Sequence, residues 1–215
     1  MPMLSIVIQA GGQSQRMGQD KALVPFLGQP LILRVLGRVA EMADELLVTA
    51  NQPEKYAFLG LTPIPDILPG CGALGGLYTA LSAAHHPLVT VIACDMPFVN
   101  PQLIAVEMAL LNQTGADVAI VHTATGLEPF HAVYRRETCL PQVLAALEAG
   151  KRRVDAWFSQ VNLVTIPEDS LQRLDPQGLT FMNANTPAEL AAAEKQAQVY
   201  DAAEQARNQP GPGCV

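Results

Sequence analysis

Leu4-Ser5-Ile6-Val7-Ile8-Gln9-Ala10-Gly11-Gly12 is the stretch on which the fold turns. A short β-branched apolar run that stops at two glycines reads as a buried strand entering a glycine loop, the usual opening of an α/β sheet. Working outward, further strand candidates recur at residues 46–50, 62–68, 88–93 and 118–122. Between them Leu31, Val35 and Val39 recur at helical spacing, as do Leu77, Leu81 and Ala84, and then Leu103, Val106 and Leu110. Strands alternating with helices of that length predict βαβ units and a mainly parallel sheet, whose ligands bind at the carboxyl ends of the strands. Past residue 123 the alternation loosens into a strand at 132–134, a helix at 141–149 and a strand at 163–166, which complete the same domain. Thr186-Pro187-Ala188-Glu189 combines an N-cap, a proline at the first helical position and a capping-box glutamate ahead of an Ala-rich helix. The expected organisation is one domain over residues 1–200, followed by a disordered C-terminal tail over 201–215.

Composition narrows the function. Of 215 residues, 49% are apolar and 15% charged, enough for a core and unlike a disordered chain. Twenty acidic against 13 basic side chains give a formal charge of -7. That balance argues against nucleic acid or an anionic membrane as partner, since both need clustered Lys and Arg. The four cysteines, Cys71, Cys94, Cys139 and Cys214, are scattered without a C-x-x-C pair, which suits a reducing cytoplasm. The N-terminus lacks a basic segment, and its apolar run stops at Gln9, too short for a signal peptide or a spanning helix.

Three segments can carry chemistry. In Gln9-Ala10-Gly11-Gly12-Gln13-Ser14-Gln15-Arg16-Met17-Gly18-Gln19-Asp20-Lys21, two glycines after a strand let backbone N–H groups converge on an anion, with Arg16 and Lys21 supplying charge. No Gly-Lys-Ser/Thr follows, so this is not a Walker loop; a plain glycine turn with solvated charges is the alternative. Asp95, in Cys94-Asp95-Met96-Pro97-Phe98, follows an apolar strand at its carboxyl end, where one carboxylate suits Mg²⁺, although an Asp opening a turn before Pro97 would look the same. Asp66, among Pro63, Pro65 and Pro69, reads on its own as a turn residue. Gly70-Cys71-Gly72-Ala73-Leu74-Gly75 matches G-x-G-x-x-G, with Asp95 about 20 residues further on, as in a dinucleotide fold. That reading leaves Arg16 and Lys21 without a role, and close helix-to-strand packing explains the glycines equally well. The histidines lack partners at zinc spacing, Trp157 and Phe158 read as core, and Lys151-Arg152-Arg153 reads as a solvated helix terminus or a second anion site.

Ala10-Gly11-Gly12, Arg16-Met17-Gly18-Gln19-Asp20-Lys21, Asp66-Ile67-Leu68-Pro69-Gly70, Ala93-Cys94-Asp95-Met96-Pro97-Phe98, Glu128-Pro129-Phe130-His131-Ala132-Val133-Tyr134 and Asn183-Ala184-Asn185-Thr186-Pro187 together resemble the MobA family, the molybdenum cofactor guanylyltransferases. These motifs occur in family order between about residues 4 and 195. The resemblance implies a Rossmann-like nucleotidyltransferase, three-layered around a mainly parallel sheet. It would transfer GMP from Mg²⁺-bound GTP to Mo-molybdopterin and release pyrophosphate. By motif match, the backbone of Gln9, Ala10, Gly11 and Gly12, with Lys21, holds the triphosphate. Asn51 and Asp66 contact the nucleotide, Asp95 binds the metal, and Arg16, Lys21 and Asp95 form the catalytic set. Transient contact with molybdenum-cofactor proteins is implied as well. Gln9 stands where the family usually has leucine, Ala73 where proline is common, and the Met17-to-Lys21 spacing is shorter by one than in members with a double glycine. Related cytidylyltransferases share the Arg-Met-Gly and Lys features but carry Ala-Ala-Gly in the first loop, so Ala10-Gly11-Gly12 favours guanine. The alternatives are a relative that uses CTP or a sugar or alcohol phosphate, and a non-catalytic nucleotide-binding module.

Overall fold

In the computed structural model, residues 3–10 and 20–208 are described, with side chains through Asp201. The opening apolar run forms β1 (Leu4–Gln9), in which Leu4, Ile6 and Ile8 face one layer of helices and Val7 the other. A strand covered on both faces must be apolar without alternation, which is why the sequence shows a run rather than a period of two. After Lys21, a two-residue hairpin joins β2 (Pro25–Phe26) to β3 (Gln29–Pro30) through Leu27 and Gly28, both at positive φ. The chain then runs through α1 (Leu31–Val39), β4 (Glu45–Thr49), α2 (Gly72–Ala83) and β5 (Leu88–Ala93). Next come α3 (Pro101–Thr114), β6 (Val118–Thr123), β7 (Gly126–Arg135) and α4 (Arg136–Glu148), then β8 (Leu163–Thr165), α5 (Glu168–Leu174) and α6 (Pro187–Asn208).

Six strands form one sheet in the order β4-β1-β5-β7-β6-β8, with β7 antiparallel to both neighbours and the other pairings parallel. Helices α1 and α3 pack on one face, and α2 and α4, with the fully buried Trp157, on the other. The chain leaves β1 through α1 to reach β4 on one side, and reaches β5 on the other side through α2. A crevice therefore opens at the carboxyl end of β1, where the order reverses.

The strand expected at 62–68 does not form. Only an isolated bridge between Thr49 and Ile64 pairs it to the sheet, because Pro63 and Pro65 flank Ile64 and cannot donate to a ladder. The short strand expected at 132–134 is part of the ten-residue β7, which is hairpinned to β6 at Thr123 and Gly126. Helix α4 begins five residues before Pro141 and contains it. Helix α6 continues past residue 200 to Asn208, while residues 209–215 of the expected tail lie outside the described residues. No helix among the described residues is long and apolar enough to cross a membrane.

Candidate functional site

Several chain segments meet at the carboxyl edge of the sheet around a cleft of about 680 Å³. The strand ends set its floor. Gln9 pairs in register with Ala93, and the Cys94 N–H donates to the Gln9 carbonyl at 3.2 Å, so Ala10 and Asp95 emerge side by side. Lys21 arrives on a 3-10 turn (Lys21–Leu23) that Asp20 caps by accepting the Ala22 N–H. Its ammonium lies 3.5 Å from Asp95 Oδ2 and donates to Asn185 Oδ1. Asn185 is itself placed by the capping box of α6: its N–H donates to Glu189 Oε2, and the Glu189 N–H to Thr186 Oγ1. The Ala184 N–H donates to the Asp95 carbonyl, joining the α6 entrance to the Asp95 turn.

That turn is anchored from behind. Met96, Phe98 and Val99 are buried, the Arg34 Nε donates to the Pro97 carbonyl, and the Arg38 Nε donates to the Val99 carbonyl. A second cleft of similar size, about 670 Å³, lies beside these arginines. There, Arg34 is already spent on Pro97 and on a bidentate pair with Asp201. On the far wall of the first cleft, Asn51 and Asp66 form a reciprocal pair. Asn51 Nδ2 donates to Asp66 Oδ2 at 2.8 Å, and the Asp66 N–H donates to Asn51 Oδ1 at 3.0 Å. Next to them, Gly70, Gly72 and Ala73 bring the start of α2 to the cleft, where the positive end of the helix dipole favours an anion. Gly72 takes φ +63°, and a Cβ on Gly76 would fall 1.6 Å from Gln9 Nε2, so the G-x-G-x-x-G stretch and the glycine after it make room for the cleft floor and for helix packing.

Lys21, Asn51, Asp66 and Asp95, expected from the sequence, thus share one cleft with Gln9 and Ala10; Gly11, Gly12 and Arg16 lie outside the described residues. Asn183 and Asn185 also reach this corner, and their Asn-x-Asn spacing was the available signal. Nothing in the sequence singled out Tyr56, whose hydroxyl reaches Asp20 and Ala10. Lys151 and Arg152 close backbone carbonyls at the end of α4 and just beyond it, and Arg153 pairs with Asp155. The Arg152 carbonyl accepts the Leu74 N–H, so this cluster borders the start of α2. Burial, with the Asp95 and Asp20 carboxylates, pushes the Cys94 thiol up and leaves it protonated and unreactive.

Among the described residues, no three His, Cys, Asp or Glu side chains gather into a metal cluster. One carboxylate on a polar cleft fits a hard cation that keeps water and completes its shell with substrate phosphate oxygens. A cleft at a topological switch point, with a helix N-terminus, a lysine and a carboxylate facing one another, defines a phosphate-handling enzyme of the nucleotide-binding α/β class.

Comparison with known proteins narrows this class. Residues 6–163 match the model of the MobA-like NTP transferase domain. The molybdenum cofactor guanylyltransferase of Burkholderia vietnamiensis is 36% identical over 203 residues, covering 89% of this chain and 95% of its own. A relative from Pelotomaculum thermopropionicum is 35% identical across 89% and 92%. The molybdopterin-guanine dinucleotide biosynthesis protein A of Archaeoglobus fulgidus superposes with a TM-score of 0.78 at 25% identity, covering 91% of this chain and 99% of that one. A 2-C-methyl-D-erythritol 4-phosphate cytidylyltransferase from Thermus thermophilus shares the fold, with a TM-score of 0.66 at 18% identity. The chain belongs to the MobA-like NTP transferase family.

Proposed function

We propose that this protein is a molybdenum cofactor guanylyltransferase, transferring GMP from GTP to the terminal phosphate of Mo-molybdopterin. The relatives' names support the reaction, and the Lys21–Asp95 pair at the carboxyl edge of the sheet is the observation that carries it. In this reading an acceptor phosphate oxygen forms a bond to the α-phosphorus while the bond from that phosphorus to the bridging oxygen breaks, and pyrophosphate departs with the electron pair. The acceptor is already an anion, so no general base is needed. Catalysis reduces to alignment and charge neutralisation. Lys21 exchanges its contact with Asp95 for phosphate oxygens, Asn185 keeps its ammonium aimed into the cleft, and Asn51 and Asp66 hold the nucleoside. Arg16 adds positive charge to the departing pyrophosphate. Asp95 would hold Mg²⁺, which when bound supplies positive charge to the phosphate oxygens.

Residues 1–200 act in this proposal as a single nucleotidyltransferase domain, and the unpaired Cys71, Cys94 and Cys139 suit the cytoplasm. Incubating the protein with each of four nucleoside triphosphates, Mg²⁺ and Mo-molybdopterin should release pyrophosphate with GTP ahead of CTP, ATP and UTP. A preference for CTP would overturn the guanine assignment. GTP binding without release would favour a non-catalytic module.

A further inference from the structure

Tyr56 lies on the 3-10 segment Pro53–Leu59 that follows β4, and its side chain is fully buried in the core beneath α1. Its hydroxyl reaches two residues that line the cleft. That oxygen is 2.7 Å from Asp20 Oδ2 and 3.3 Å from the Ala10 carbonyl, so one proton is shared between two acceptors, with the carboxylate taking the larger part. Ala10 is fixed in turn by donating its N–H to the Thr49 carbonyl at 2.8 Å. The other Asp20 oxygen caps the turn that carries Lys21. A continuous chain of contacts thus runs from a ring locked in the core, through a carboxylate, to the ammonium facing Asp95.

A phenylalanine would fill the same space in the core. The hydroxyl therefore matters for what it holds. We propose that Tyr56 is a positioning residue for Lys21: it pins Asp20 against the end of β1 and so sets where the Lys21 ammonium stands relative to Asp95. This rests on the reading of the cleft as a nucleotidyl-transfer site. Burial first, and then the Asp20 carboxylate, raise the phenol's pKa, so the hydroxyl keeps its proton and remains a donor across the working pH range.

The test is a double-mutant cycle with Lys21, read by titration with an N-methylanthraniloyl derivative of GTP in Mg²⁺ and by turnover. Tyr56→Phe should weaken nucleotide binding and lower turnover about tenfold in the otherwise native protein, yet change binding less than twofold in a Lys21→Met background. Equal factors in both backgrounds, or no effect in the native one, would overturn the proposal. Should Tyr56→Phe fail to fold, Asp20→Asn serves instead. It keeps an acceptor for the Ala22 N–H but replaces the charged acceptor of the Tyr56 proton with an amide, and its effect must likewise vanish without Lys21. A nucleotide-free arm follows the NMR signal of reductively ¹³C-methylated Lys21, assigned by its loss in Lys21→Arg. It should move in Tyr56→Phe, and an unmoved signal defeats the positioning role. A native protein that binds no nucleotide would sink the functional reading, while this arm still decides the role of Tyr56.

Discussion

A carboxyl group and a side-chain nitrogen face each other at 3.5 Å at each end of the segment from Asp95 to Asn100, yet the two pairs sit in different surroundings. At the cleft end, Lys21 and Asp95 keep 27% and 15% of their side-chain surface exposed. At the other end, the Asn100 N–H donates to His131 Nε2, and His131 Nδ1 faces Glu107 with neither side chain exposed at all. The Asn100 donation places the ring proton on Nδ1, the nitrogen on the side of the carboxyl. Equal separation gives no equal function. In the proposed reaction the cleft pair trades partners with an arriving phosphate, a step that its partial exposure to water eases. The sealed pair has no replacement for either member, and neither Glu107 oxygen nor His131 Nδ1 reaches a hydrogen-bond partner. In the proposed reaction, accessibility distinguishes the pair assigned to chemistry from the sealed pair, which holds the segment in place.

The largest expected effect breaks the open pair. Asp95→Asn should lower pyrophosphate release by two or more orders of magnitude, each order being about 1.4 kcal/mol of barrier. Its melting temperature should change little, since the turn is anchored by Arg34, Arg38 and the Ala184 N–H rather than by the carboxylate. Turnover near that of the native protein would show that Asp95 is dispensable to catalysis.

Breaking the sealed pair should reverse that profile, costing stability first. His131→Leu leaves the Asn100 N–H without its acceptor and Glu107 facing apolar neighbours. Burial raises the Glu107 pKa and His131 opposes that rise, so losing the ring shifts the carboxyl further toward its protonated form. The penalty is thereby held to about 2 kcal/mol, the range for a buried polar group left unsatisfied, and should appear as an earlier urea midpoint. Replacing both His131 and Glu107 by leucine should recover about half of this, because the amide loss remains while the orphaned carboxyl is gone. A double variant no more stable than the single one would mean that Glu107 carries no cost of its own.

The sequence announces the open pair better than the sealed one, for a physical reason. Strands buried on both faces read as uninterrupted apolar runs, so β1 and β5 were legible almost to the residue, and with them the places where Ala10 and Asp95 leave the sheet. The 62–68 segment misled because β-type composition with three nearby prolines can extend without pairing. Asp95 and Lys21 stand at strand and loop ends, where local signals point to a site. Glu107 lies within an ordinary helix and His131 within a strand, and only the packing of α3 on β7 brings them together. Tyr56 was silent for the same cause, and the Asn-x-Asn spacing marked Asn185 without showing its partner. Their roles depend on Asp20 and Lys21, which are distant in sequence and adjacent only once the sheet has assembled.

A third carboxyl sharpens the contrast through pH. Glu45, at the start of β4, is raised by burial, but the Ser5 hydroxyl and the His85 N–H and ring more than offset this and hold it at about 2, whereas burial keeps Glu107 above its ordinary value of 4.5. A folded-state pKa below the unfolded one contributes stability that is complete above about pH 4.5 and fades as pH falls toward 2; a raised one contributes below 4.5 and fades as pH rises. Glu45→Gln should therefore melt slightly earlier than the native protein at pH 7, by less than about 1 kcal/mol for a partly exposed cluster of this kind. The gap should close as the pH approaches 2. Glu107→Gln should show the opposite trend, gaining on the native protein as pH climbs past 4.5, because the variant has no proton to lose in the core. Melting curves between pH 2 and 7 separate the two, and parallel profiles would mean that the buried and half-exposed carboxyls do not differ as their surroundings require.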